Sequence, residues 1–155
     1  MSAYRHYHVK DLQRLNAKLR QEIYWTLSKI ESLSGVEQSD SQSLEMLMSF
    51  IKRISTTMKI CDTYYEYTKG MRVDKDLTFV EYWSVYRFFS EADSFLSALT
   101  PTRISTSERE IVTGILFVVD DVCSSNEGAS LKLVYQNLET FYKENGYLLL
   151  DIPLE

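Results

Sequence analysis

A chain of 155 residues, 45% of them hydrophobic, is long enough to bury one sizeable core as a single domain. Its five glycines and two prolines are too few for an all-β fold assembled from many tight turns. The formal net charge of −5 argues against a generic polyanion binder, yet the first 20 residues hold five bases and one acid, leaving −9 for the rest.

Residues 1–8 read as a flexible N-terminus, without the apolar stretch of a secretory leader. The first predicted helix carries Leu12, Leu15, Leu19, Ile23, Leu27, Ile30 and Leu33 at steps of three and four, which marks one buried stripe. Lys10, Arg14 and Lys18 recur every fourth residue on another face, and Glu22 follows at the next step, within reach of Lys18. That basic stripe is either a solvated helix face, a contact for an acidic protein partner, or a set of phosphate contacts for nucleic acid.

"SGVEQSDSQS" interrupts the pattern and predicts an exposed loop. The second helix has the cleanest seam in the chain: Leu44, Leu47, Ile51, Ile54, Met58, Cys61, Tyr65 and Thr68. Gly70 is placed to end it. Each of these two helices would be roughly 35–45 Å long, whereas a compact domain of this size has a radius of gyration of only about 15 Å. The expectation is therefore a long N-terminal antiparallel helical hairpin. Met46, Phe50 and Tyr64 lie off the seam and should remain partly exposed in a monomer.

Thr78 and Glu81 form a capping box for a third helix, whose buried face is predicted at Phe79, Trp83, Tyr86, Phe89, Leu96 and Leu99, with Thr100-Pro101 as its end. Two further boxes, Ser105/Glu108 and Ser107/Glu110, compete to start the fourth. "EIVTGILFVVDDVC" is apolar on nearly every side, which suggests that this helix is central; within it, "GILFVV" also fits a buried strand. The fifth helix runs from about Ser130 to Asn145, with Leu131, Val134, Leu138 and Phe141 inward and Gly146 as its stop. Residues 147–155, "YLLLDIPLE", form an apolar tail that either straps the bundle or docks on another chain, so Leu149 and Ile152 join the candidate contact residues. The sum is an all-α, elongated bundle of about five helices, residues 1–155 forming a single helical domain.

Chemistry is scarce in this sequence. His6 and His8 are the only histidines, which leaves no HExxH, no di-iron ExxH pair and no conventionally spaced Ser-His-Asp or Cys-His set. Asp62 and Glu66 make one i, i+4 carboxylate pair, but no matching pair converges on it. No phosphate loop is present, and Cys61 and Cys123 belong to no metal or redox spacing. No catalytic residue, metal ligand or cofactor is expected. The longest strongly apolar run, Ile115 to Val119, is too short to span a bilayer. A cytoplasmic or nuclear setting follows from the unpaired cysteines and the absent leader.

"FVEYWSVYRFF" and "EREIVTGIL" resemble a helix pair of translin-type RNA-binding proteins. The resemblance contains no functional motif and transfers no residue role. The functional expectation is a non-enzymatic protein–protein interaction module (adaptor, scaffold or assembly subunit) that forms a homodimer or a larger assembly. Its contact residues would be Lys10, Arg14, Lys18, Met46, Phe50, Tyr64, Leu149 and Ile152. The alternative is an RNA-binding helical protein that uses the basic N-terminal helix.

Overall fold

The computed structural model describes residues 14, 17–19, 21–29, 41–68, 77–100, 102–122, 130–147 and 149–150, the side chains of 41–43, 61–68 and 79 excepted. Among the described residues there is no strand, and helix forms in five stretches. The first, α1, is helical at 17–19 and 21–29. It is followed by α2 (Ser41–Thr68), α3 (Phe79–Ser97), α4 (Thr106–Val118) and α5 (Leu131–Asn145). The helix at 114–118 settles the choice for "GILFVV" against a strand. The link between α1 and α2, and with it the expected hairpin turn, lies outside the described residues.

The second helix starts at Ser41, three residues inside the stretch expected to be loop. With 28 residues it is about 42 Å long. The described part of its predicted seam faces the core: Leu44 and Leu47 are 2% exposed, and Ile51, Ile54 and Met58 are fully buried, while the side chains of Cys61, Tyr65 and Thr68, and Gly70, lie outside the described residues. From α1, Ile23 and Leu27 enter the same core.

α4 is not the central helix: α3 packs against α2 and α5, and α5 against α3 and α4, while α4 leans chiefly on α5. The predicted phase of α3 needs correction as well. Tyr82, Val85, Phe88, Phe89, Ala92, Leu96 and Leu99 are buried, whereas Trp83 is 41% exposed and Tyr86 is half-buried. Trp83 and Tyr86 stack on each other at 5.2 Å between ring centroids, Tyr86 packing against the edge of the core. Apolar residues occupy so many positions of α3 that two phases fit a helical template. The phase adopted is the one that buries Phe88 and Phe89 together.

Caps follow the predicted chemistry. Thr78 Oγ1 accepts from the Glu81 amide at 3.1 Å, and Glu81 Oε1 accepts from the Thr78 amide at 2.9 Å. Of the two candidate boxes at α4, the structure uses Ser105 and Glu108, with the same reciprocal pair at 3.1 and 2.9 Å. Ser130 caps α5, and Gly146 ends it at φ 70°, a left-handed conformation that costs a glycine little.

Two polar fasteners fix α5. Glu81 of the α3 cap also accepts a hydrogen bond from Lys132 of α5. This lysine's hydrogen bond, followed by that from the Thr78 backbone, holds the Glu81 carboxyl below its ordinary value of 4.5. At the other side, Asn137 donates to the carbonyls of Val118 and Asp120 at 2.9 and 3.1 Å. These carbonyls lie where α4 ends and Asp121 turns the chain at φ 59°, so they have no helical partner of their own.

Replacing Asn137 with leucine should cost about 1–3 kcal/mol, because the carbonyls at the end of α4 lose their donor; chemical denaturation of the two proteins measures it. The Glu81–Lys132 contact predicts a pH dependence. A carboxyl whose folded pKa is depressed stabilises the fold above its unfolded value, and that contribution disappears as pH falls through the folded value. The melting temperatures of the wild type and of Lys132→Met should therefore differ near neutral pH and converge as the pH falls below 4.5 through the lowered value of the folded carboxyl.

Candidate partner-binding surface

Arg14 and Lys18 are exposed helical positions. At 100° per residue, Trp25 and Lys29 fall on the same stripe of α1 as these two cations, and Glu22 lies at its edge. Trp25 is 50% exposed, and Lys29 Nζ stands 4.9 Å from the centre of its ring. The guanidinium of Arg53, from α2, lies 5.5 Å from the same ring. Arg53 Nε and one terminal nitrogen both reach Glu22 Oε1, so Glu22 pairs across to α2 and not along α1 with Lys18 as its spacing suggested.

The helical backbone beneath this pair is well packed. Thr26 is 1% exposed and donates to the Glu22 carbonyl at 2.8 Å; Thr57 is 6% exposed and donates to the Arg53 carbonyl at 2.8 Å. Each buried hydroxyl is thus satisfied on its own helix, one turn back. Arg53 shares a second stripe of α2 with Met46, Phe50 and Ile60. Met46 is 43% exposed and Ile60 39%, while Phe50 is half-buried against the core. Both arginine and indole therefore lie at the surface over a rigid base.

The remaining predicted contact residues separate into two groups. Leu149 belongs to the chain's own core at 5% exposure. It lies over α4 where Gly114 leaves room: a β-carbon on that glycine would stand 2.5 Å from Leu149 Cδ1 and 3.1 Å from Phe141 Cε2. Tyr147 meets the Phe141 ring edge-on at 5.7 Å, so the first part of the tail is laid against α4 and α5. Lys10, Ile152 and the side chain of Tyr64 lie outside the described residues, as do His6, His8 and the side chains of Asp62 and Glu66.

Sequence reasoning missed Trp25, Lys29, Arg53 and the exposure of Trp83. The first two were legible by continuing the Arg14–Lys18 stripe past Glu22 at helical spacing. The approach of Arg53 depends on how α1 sits on α2, which no local spacing reveals. Among the described residues, no cluster of three or more histidine, cysteine, aspartate or glutamate side chains could hold a metal ion. No described helix is long and apolar enough to cross a membrane. Comparison with protein families, curated proteins and solved structures finds no match for this chain, the translin-type resemblance included.

The exposed and buried members of the candidate set should separate in a stability measurement. Leu149→Ala should cost at least about 2 kcal/mol through the cavity it leaves. Trp25→Ala, which removes a half-exposed ring and its cation contacts, should cost about 1 kcal/mol or less. Urea denaturation followed by far-ultraviolet circular dichroism reads both.

Proposed function

We propose that this protein is a non-enzymatic helical interaction module, an adaptor, scaffold or assembly subunit, acting in the cytoplasm or nucleus. The observation that carries this reading is the placement of its two tryptophans. Trp25 and Trp83 are 50% and 41% exposed, one between two cations and the other stacked on a tyrosine. Tryptophan, tyrosine and arginine are the residues that most often dominate binding energy at protein interfaces, since each combines large contact area with a polar or cationic handle. Neither indole is needed to fill the core, so their size is better explained by contact with another molecule.

A long hairpin of α1 and α2 would give the module an elongated spine, with Met46 and Ile60 along its open side. Self-association through that side is part of the same proposal. Light scattering after size exclusion, at tens of micromolar and at two salt concentrations, tests it: a strict monomer in both buffers would leave only a foreign partner.

The module reading itself is tested by affinity purification of the full chain from its native source, with the Trp25→Ser/Trp83→Ser double variant as control. Discrete proteins recovered with the wild type and lost with an equally stable variant are expected. No variant-sensitive protein would overturn the reading. Recovery that disappears after nuclease treatment would overturn it in favour of the RNA-binding alternative.

A further inference from the structure

We infer that the stripe formed by Arg14, Lys18, Trp25 and Lys29 on α1, joined by Arg53 from α2, is a docking site for an acidic peptide segment with one apolar anchor. This inference rests on the module reading and names the chemistry of one partner. Lys29 and Arg53 flank the Trp25 indole, Arg14 and Lys18 continue the stripe beyond it, and one carboxylate, Glu22, is already in place on Arg53. Glu22 shows what the patch accepts: a carboxylate seated on Arg53 while the guanidinium also faces the Trp25 ring. It occupies a single oxygen's worth of an arginine that has five N–H donors, and the Arg53 side chain keeps 50% of its surface exposed.

Spacing defines the ligand further. Arg14 and Lys18 are one helical turn apart, about 6 Å. Trp25 follows about 10 Å further along, and Lys29 about 6 Å beyond it. The complementary segment, if helical, carries two acids one turn apart, an apolar side chain about two turns beyond them, and a third acid one turn past that. The apolar side chain covers the indole and the acids meet the cations. Dehydration of Trp25 by the anchor strengthens the flanking charge pairs, because the local dielectric falls.

Charge argues for a peptide over a nucleic acid. A polyanion approaching the stripe also meets the −5 net charge of the whole chain, and Glu22 puts a fixed negative charge inside the site. A short acidic segment presents few charges at matched positions and avoids most of that repulsion.

The test uses the full chain carrying Trp83→Phe, which leaves Trp25 as the sole tryptophan. The probe is an amidated alanine-based helical peptide about four to five turns long, with glutamates and one leucine at the spacing just given. Its controls are a glutamine-for-glutamate version and a single-stranded oligouridylate of similar length. The glutamate peptide is expected to shift the Trp25 emission saturably, with affinity falling as salt rises from about 50 to about 300 mM. Arg14→Glu with Lys18→Glu should weaken it about tenfold or more, at unchanged melting temperature. No saturable shift, equal binding of the glutamine peptide, or indifference to the charge reversal would each overturn the inference, as would tighter binding of the oligouridylate. Proteins captured in a Trp83-dependent manner by the charge-reversed chain would leave the module reading standing while a failed peptide titration removes this site; loss of both removes both.

Discussion

Two adjacent phenylalanines on α3 set the architecture. Successive residues of a helix point about 100° apart, so Phe88 and Phe89 together make the buried face of α3 broad. Both are fully buried, their rings meeting edge to face at 5.0 Å. A face that broad suits a helix with more than one neighbour, and α3 packs against both α2 and α5. Each ring removed from water contributes about 1.5–3 kcal/mol. The other helices are arranged around that pair: α4 reaches the bundle through α5, and α1 adds Ile23 and Leu27 to the core lined by α2.

The polar contacts then choose among packings that the apolar core would tolerate. The Glu81–Lys132 pair, near the surface, adds little to stability. Its geometric effect is larger, because it joins the first turn of α3 to the first turn of α5. Asn137 does the same between the middle of α5 and the end of α4. Sliding α5 by one turn, about 5.4 Å, would break both contacts at once and leave carbonyls without donors. Register is therefore specified by a few hydrogen bonds, while stability comes mainly from area.

What was legible in the sequence follows this division. Caps are local, and Thr78/Glu81, Ser105/Glu108, Ser130 and Gly146 act where their spacing placed them. The α2 seam was legible because Leu44, Leu47, Ile51, Ile54 and Met58 keep alternating steps of three and four without a break. α3 offered no such single pattern. Phe89, Leu96 and Leu99 are buried as their spacing indicated, but Trp83 and Tyr86 look as apolar as Tyr82 and Val85, and the choice between them depends on which neighbours exist. For the same reason the apolarity of α4 did not reveal its place: Phe117 remains 39% exposed, and number of neighbours is not a local property. The basic stripe was visible as charge but not as a surface, since its indole lies beyond Glu22 and its fourth cation comes from another helix.

Glu22 and Arg53 link this architecture to the proposed recognition. Around them, α1 is held by Ile23, Thr26 and Leu27, all at most 3% exposed, so the helix does not depend on the ion pair above it. A pair this exposed contributes about 1 kcal/mol or less. Exchanging the Glu22 carboxylate for one from a partner is then close to neutral for the fold, while the partner's apolar anchor gains the area of the indole. Had the pair been buried, the same exchange would expose an unpaired charge and cost several kcal/mol. The shallow placement of Arg53 thus leaves it available to a ligand without making it a weak point of the bundle. Trp25, too large to be idle on a surface and not needed beneath it, supplies the contact area from which such a ligand would draw its affinity.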